Sequence, residues 1–152
     1  MKNANPTRFN NRADIVFVQG SASGFEQSIA AGPHQLKSDE PIEAGGTGRG
    51  LSPYDLLLAA LGSCTSMTVA LYARRKQWLL EDVTVRLRHS RIHADDCADC
   101  ETKEGRLDRI EREIVLMGPL TEEQRTRLLD IANKCPVHRT LTSKIEIVSW
   151  LA

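Results

Sequence analysis

Two cysteines, far apart in the chain, are the residues best suited to carry chemistry. Cys64 lies among small residues in an uncharged stretch over residues 56–72, and Cys135 lies between Lys134 and Pro136. Neither thiol has the closely spaced Cys or His neighbours of a metal-binding knuckle. In a reducing cytosol, paired thiols are more often catalytic or metal-binding than structural. The two cysteines are therefore candidates for a redox pair that folding brings together.

The sequence around Cys135 allows two interpretations. If Cys135 caps a helical turn that begins at Pro136, the free N–H groups of Val137 and His138 face its sulfur and stabilise a thiolate. His138 and Arg139 also add positive charge nearby. The alternative is a small buried hydrophobic residue at a helix end.

Cys64 is harder to interpret from its neighbours. It lies about three turns into a predicted helix, beyond the reach of the dipole at the helix N-terminus. A Cys64 thiolate would need a cationic partner from another part of the fold. The alternative is a packing residue on a buried helix.

An acidic loop holds a third candidate site. His93, Cys97 and Cys100 lie there with four interleaved carboxylates. The acidic neighbours raise the pKa values of the thiols, and this opposes a reactive dithiol. The negative charge of the same neighbours favours a bound cation such as zinc. A structural zinc site needs four ligands, so a carboxylate or another chain must supply the fourth. A solvent-exposed loop and a disulfide are the other interpretations.

Composition and charge exclude several classes of protein. The 152 residues, 41% hydrophobic and 26% charged, fit one domain with a core. Basic and acidic residues number 20 each, and this zero net charge argues against nucleic-acid binding. Residues 1–13 are polar, so we expect them to form an N-terminal arm that precedes a single domain over residues 14–152. They also lack the apolar part of a signal peptide, so we expect a cytoplasmic protein. The uncharged stretch is shorter than the about 20 residues of a membrane span, so we expect no membrane association.

Hydrophobic periodicity and turn residues predict an α+β domain with the element order βββ-α-ββ-α-β. The first three strands form a meander, and a glycine-rich loop follows it. The expected strands cover residues 14–19, 25–30, 34–39, 83–88, 110–116 and 145–151.

Two helices position the cysteines. Ser52 is a good N-cap with Asp55 three residues later, and the helical pattern then continues to about residue 77. Thr121 begins a second capping box, and Pro136 stops or restarts the helix that follows.

These motifs resemble the OsmC/Ohr family, the osmotically induced and organic hydroperoxide resistance proteins. The resemblance rests on residues 52–64, which read Ser-Pro-Tyr-Asp-Leu-Leu-Leu-Ala-Ala-Leu-Gly-Ser-Cys, and on residues 135–138, which read Cys-Pro-Val-His. It extends over nearly the whole chain from about Asp14, and residues 93–101 resemble a branch with extra loop cysteines. It implies an intertwined homodimer with long bent antiparallel sheets, a buried central helix and active sites at the subunit interface.

The resemblance also implies an activity, the reduction of hydroperoxides in antioxidant defence. Cys64 would be the peroxidatic thiol, and Cys135 would capture its sulfenic acid as a disulfide. An external dithiol would then reduce the disulfide, and no bound cofactor would be required.

The sequence departs from the family pattern at the residues that support the thiols. Tyr54 stands where the Ohr type has a Glu, with Asp55 next to it. The Ohr-type site also uses an Arg from the N-terminal strands, but the first hairpin turn of this chain has no Arg. Arg49 or Arg139 could supply the missing cation, and His138 lies beside Cys135. Two alternatives follow: a non-catalytic small-ligand binding protein on the same scaffold, or a metal-binding protein that uses the acidic loop.

Overall fold

The computed structural model of the chain describes residues 15–93 and 105–151, except for the side chain of His93. These residues form two compact units. The first contains residues 15–56 and 147–151, and the second is Leu57–Glu146. The predicted arm over residues 1–13 lies outside the described residues, and the single domain over residues 14–152 stays a prediction.

A three-stranded antiparallel meander forms most of the first unit. Its strands are β1 (Val16–Gly20), β2 (Gln27–Ala31) and β3 (His34–Ser38), in the order β1-β2-β3. Gly32, with a φ of 56°, provides the left-handed conformation in the turn between β2 and β3. The meander predicted from the sequence is confirmed.

A buried carboxylate organises the loop that follows the meander. Asp39 is 2% exposed and accepts hydrogen bonds from the backbone N–H groups of Glu40, Thr47 and Arg49. The Thr47 hydroxyl donates to the same carboxylate and is the main reason that the pKa of Asp39 lies below its ordinary value. One acidic side chain therefore ties the glycine-rich loop to the end of β3.

The main helix, α1 (Pro53–Arg75), has nearly the predicted bounds. The Ser52 hydroxyl accepts from the Asp55 N–H, and the Asp55 carboxylate accepts from the Ser52 N–H, which is the reciprocal cap expected from the sequence. By length and composition, α1 is the one helix among the described residues that could span a membrane. Its Val69 and Ala73 are instead part of a packed protein core.

The second unit surrounds that core with a hairpin and two further helices. Strands β4 (Asp82–His93) and β5 (Arg106–Met117) pair antiparallel, with Leu87 opposite Arg112. The helix α2 (Glu122–Ala132) begins at the predicted Thr121 capping box. A shorter helix, α3 (Pro136–Leu141), follows it. The buried core residues are Val69, Ala73, Leu128 and Ala132.

One glycine allows α1 to approach the hairpin closely. A Cβ atom added at Gly62 would lie 2.8 Å from the Leu87 Cδ1 atom, which is too close for an ordinary contact. The absence of a side chain at Gly62 therefore sets the separation between α1 and β4, two positions before Cys64.

The end of the chain differs from the prediction. The sequence predicts a last strand over residues 145–151, but the described residues from 144 onward form neither helix nor strand. A strand needs a hydrogen-bonded neighbour, and the apolar alternation that suggested one faces outward: Ile147 is 84% and Leu151 98% exposed. The α+β class with antiparallel sheets is confirmed, whereas the dimer stays a prediction.

Candidate active site

Cys64 and Cys135 lie side by side at the start of α3. The backbone N–H of Val137 donates to the Cys64 Sγ atom at 3.5 Å, and the next N–H, that of His138, donates to the Cys135 Sγ atom at 3.4 Å. Thr65, the residue after Cys64, places its Oγ1 atom 3.7 Å from the Cys135 Sγ atom, across 70 positions of sequence. The fold thus joins the two cysteine motifs.

The local sequence explains why α3 begins at this point. Pro136 is at the first helical position, where its missing N–H costs no hydrogen bond, and Cys135 is the N-cap with extended backbone angles. The predicted cap at Cys135 is confirmed. The prediction that the N–H groups of Val137 and His138 both face Cys135 is wrong in one part, because the Val137 N–H is directed to Cys64.

The two thiols differ in exposure. Cys135 is fully buried, at 0% exposed, whereas Cys64 is half-buried, and neither forms a disulfide. Cys64 is therefore the sulfur that a small solute can reach more easily.

The surroundings of Cys135 favour its thiolate. Burial is the largest single influence and raises the pKa of the Cys135 thiol, but four other groups lower it. The His138 N–H, the Thr65 hydroxyl and the Cys64 thiol act by hydrogen bonding, and Arg112 acts by its charge. Together they hold the pKa of Cys135 below its ordinary value.

Arg112 of β5 is the cation that sequence reasoning missed. Its Nη1 atom donates to the Thr65 Oγ1 atom at 2.8 Å and to the Ala132 carbonyl oxygen at 3.4 Å. Its Nη2 atom donates to the Asn133 Oδ1 atom at 2.8 Å. The guanidinium group thus connects the hairpin, the main helix and the end of α2.

A signal for Arg112 was present in the alternation of β5. Ile110, Ile114 and Leu116 mark the apolar face of this strand, and Arg112 occupies the same face by its period of two. A charged residue on a core-facing row needs a partner. Arg139, by contrast, is exposed and is not among the groups that act on Cys135; its predicted role as the cation that serves Cys64 stays a prediction.

A cleft of about 400 Å³ adjoins Arg112. Leu61 and Leu129 line it with apolar surface, whereas Arg112 and His138 contribute polar groups. Burial, followed by the charge of Arg112, lowers the pKa of the His138 imidazole, so this ring is neutral near neutral pH.

The remaining predicted supporting residues belong to the first unit. Asp55 caps α1, and the hydroxyl of Ser52 is the main reason that the pKa of the Asp55 carboxyl is lowered. The Arg49 guanidinium lies 3.9 Å from a Glu26 carboxylate oxygen, and Tyr54 is 46% exposed. Their support of Cys64 stays a prediction.

The metal site predicted in the acidic loop lies largely outside the described residues. β4 ends at His93, and Cys97 and Cys100 fall within residues 94–104. Among the residues that the structure does describe, no group of three or more metal-binding side chains is present. The zinc site stays a prediction.

Comparison with known proteins gives the family. Residues 46–149, which include both Cys64 and Cys135, match the family model of the OsmC-like proteins. The chain belongs to this family. The resemblance to OsmC/Ohr proteins that the two cysteine motifs indicate is therefore confirmed.

Solved structures show that the chain also shares the OsmC/Ohr fold. An OsmC-like protein from Mycoplasma pneumoniae is 21% identical with a TM-score of 0.66, over 84% of this chain and 85% of its own. An organic hydroperoxide resistance protein from Legionella pneumophila is 22% identical with a TM-score of 0.61, over 84% and 88%. The organic hydroperoxide resistance protein of Bacillus subtilis is 18% identical with a TM-score of 0.58, over 84% and 89%. No curated protein matches this OsmC-like chain.

Proposed function

We propose that this OsmC-like protein is a thiol-dependent peroxidase that reduces organic hydroperoxides with Cys64 and Cys135, as part of the defence against peroxide stress. The observation that carries the proposal is the pair of sulfurs that accept hydrogen bonds from two consecutive N–H groups of α3. Two free thiols held in this way are suited to form and break a disulfide. Structural neighbours named as organic hydroperoxide resistance proteins support the choice of substrate.

The proposed reaction assigns the attack on peroxide to Cys64. This thiol is half-buried and can be reached, whereas Cys135 is fully enclosed. The Cys64 sulfur bonds to one peroxide oxygen, the O–O bond breaks, and the leaving alkoxide takes a proton to become the alcohol. Cys64 is thereby oxidised to a sulfenic acid.

Cys135 then resolves the sulfenic acid. Its thiolate bonds to the Cys64 sulfur, the S–O bond breaks, and the leaving hydroxide takes a proton to become water. An external dithiol returns both cysteines to thiols by exchange and is itself oxidised. No bound cofactor takes part in this cycle.

The proposed enzyme is a cytoplasmic homodimer. Met67 is 70% exposed and Leu71 42% exposed on α1, whose residues 56–72 carry no charged side chain. Exposed apolar residues on a central helix are expected where a second copy of the chain covers them.

Single-cysteine variants test the proposal. Cys64→Ser is expected to abolish the reduction of an organic hydroperoxide such as cumene hydroperoxide in the presence of dithiothreitol. Cys135→Ser is expected to consume about one equivalent and then stop as sulfenic acid or over-oxidised Cys64. Mass spectrometry should find a Cys64–Cys135 bridge in the peroxide-treated parent and in neither variant. Ser63→Ala, at the exposed position before Cys64, is the control and should turn over like the parent.

A small-ligand binding protein is the second candidate function, because of the cleft of about 400 Å³ beside Arg112. Apolar side chains and polar groups both line it, and concave sites of several hundred Å³ are typical of small-ligand binding. Turnover by Cys64→Ser at the parent's rate would contradict the peroxidase proposal. Absence of turnover in the parent, together with saturable binding of a hydrophobic dye that Leu129→Arg removes, would favour the binding protein.

A further inference from the structure

Arg112 reaches the thiol pair through one intermediate, the hydroxyl group of Thr65. The Arg112 Nη1 atom lies 2.8 Å from the Thr65 Oγ1 atom, and that oxygen lies 3.7 Å from the Cys135 Sγ atom. The same Oγ1 atom lies 2.7 Å from the Leu61 carbonyl oxygen. Thr65 is 0% exposed, so no solvent competes for these contacts.

The single proton of the Thr65 hydroxyl determines which atoms donate and which accept in this arrangement. A threonine hydroxyl has one proton to donate, and a guanidinium group can only donate. Arg112 therefore occupies a lone pair of the Thr65 oxygen and leaves the hydroxyl proton for the Leu61 carbonyl or for the Cys135 sulfur. When Cys135 ionises, the charged sulfur is the stronger acceptor of the two, and the hydroxyl can turn to it by rotation alone.

Arg112 itself is held in place by acceptors at the end of α2. The Ala132 carbonyl oxygen and the Asn133 side-chain oxygen accept the other N–H groups of the guanidinium group. Cys135 follows Asn133 after one intervening residue, Lys134, and its own N–H donates to the Ala132 carbonyl oxygen at 3.3 Å. The cation and the sulfur are therefore positioned by the same helix end.

We propose that Arg112, acting through the Thr65 hydroxyl, is a positioning residue that favours the thiolate form of Cys135 for the closure of the disulfide. The inference rests on the proposed peroxidase function. In the closure step the Cys135 thiolate supplies the electron pair of the new S–S bond, the S–O bond of the Cys64 sulfenic acid breaks, and the leaving hydroxide is protonated to water. A resolving thiol with a larger thiolate fraction closes the disulfide faster, and rapid closure protects Cys64 from over-oxidation.

Groups from three elements of the fold act on the Cys135 sulfur and favour its thiolate. Cys64 and Thr65 face it from α1, the charge of Arg112 acts from β5, and the His138 N–H faces it from α3. No carboxylate is among the groups that influence this thiol in the described part of the chain. Burial of the sulfur acts in the opposite direction, and these contacts together outweigh it.

The rival explanation is that Arg112 only ties β5 to α2. A titration of Cys135 separates the two roles. The chain has four cysteines, so replacing Cys64, Cys97 and Cys100 by Ser leaves Cys135 as the one thiol. The ultraviolet absorbance of the thiolate, followed against pH, then reports its ionisation without any peroxide.

In that background, Arg112→Met is expected to raise the titration midpoint by about one pH unit, which is an about tenfold decrease in the acid dissociation constant of the thiol. Arg112→Lys retains the positive charge and should raise the titration midpoint by less than Arg112→Met does. Thr65→Val removes the hydroxyl without changing the size of the side chain and should raise the midpoint in the same direction, whereas Thr65→Ser should restore it. A midpoint that stays unchanged in both Arg112→Met and Thr65→Val, with only the melting temperature lowered, overturns the proposal.

A second measurement places the effect at the closure step. With all cysteines present, a single pulse of hydroperoxide followed by rapid alkylation separates sulfenic acid from disulfide. Arg112→Met should slow disulfide closure more than it slows consumption of the first equivalent, and should increase the sulfinic acid found at Cys64. Equal slowing of both steps contradicts the role in closure. If the parent consumes no hydroperoxide, the peroxidase proposal fails, and the titration still decides whether Arg112 sets the ionisation of Cys135.

Discussion

Two neighbouring leucines of α2 allow a direct test of how much burial in the core stabilises the fold. Leu128 is 0% exposed and lies in the buried core with Val69, Ala73 and Ala132. Leu129, the next residue, is 51% exposed. Both residues have the same side chain and occupy consecutive positions of the same helix. Replacing each by alanine therefore varies burial and little else.

The structure predicts different costs for the two changes. Leu128→Ala removes buried methyl groups and leaves a cavity among side chains that cannot all collapse into it, which lowers the free energy of unfolding by about 3–4 kcal/mol. Leu129→Ala removes a side chain that is already half in water, so about half of a full transfer free energy, or about 1 kcal/mol, is lost. The first cost is a large part of the about 5–15 kcal/mol that stabilises a domain.

Urea unfolding followed by circular dichroism measures both costs. The three proteins should be compared at one protein concentration, because association stabilises a dimer by mass action. Leu128→Ala should shift the unfolding midpoint several times further than Leu129→Ala, with a similar slope. An equal or larger loss for Leu129→Ala would refute the reasoning, because it would mean that this exposed face is covered in solution.

Three further predictions concern the assembly, the acidic loop and the glycine-rich loop. Light scattering at micromolar concentration should give about twice the 16.9 kDa chain mass, and a stable folded monomer would contradict the dimer. Protein purified without chelators should contain zinc that Cys97→Ser removes, and metal-free parent protein would leave a solvent-exposed loop as the interpretation. The pKa of the Asp39 carboxyl group is lowered in the folded chain. The stability that this carboxylate contributes to the fold is therefore present above the unfolded pKa of about 3.9 and is lost as the pH falls through the pKa of the folded state. The difference in melting temperature between the parent and Asp39→Asn should accordingly be largest near neutral pH and shrink in acid; a difference that grows in acid would contradict this sign.

Local rules account for much of the fold. The start of α1 follows from Ser52 and Asp55, which cap it reciprocally, and the start of α2 follows from Thr121. Pro136 predicts that a helix restarts after Cys135, and the structure contains that helix. Each of these features depends on hydrogen bonds between residues a few positions apart, so the residue types and their spacing are enough to predict them.

The strand expected over residues 145–151 shows where local pattern fails. Apolar residues alternate there, but a strand is stabilised by hydrogen bonds to a neighbour that the pattern itself does not specify. The destination of the Val137 N–H is a similar case. The sequence predicts a free donor at this position, and only the packing of α1 against α3 decides that Cys64 accepts it.

Residue types and their spacing are enough to predict the two cysteine motifs, the helices that hold them and the family to which the chain belongs. The alternation of β5 marks Arg112 as a charge that needs a partner, but only the packing of the elements shows which partner it has. Arg112 meets Thr65 across 47 positions, through a hairpin register that places Leu87 opposite Arg112 and a helix that approaches Leu87 closely at Gly62. Such a contact depends on the relative placement of three elements, and no spacing along the chain encodes that placement.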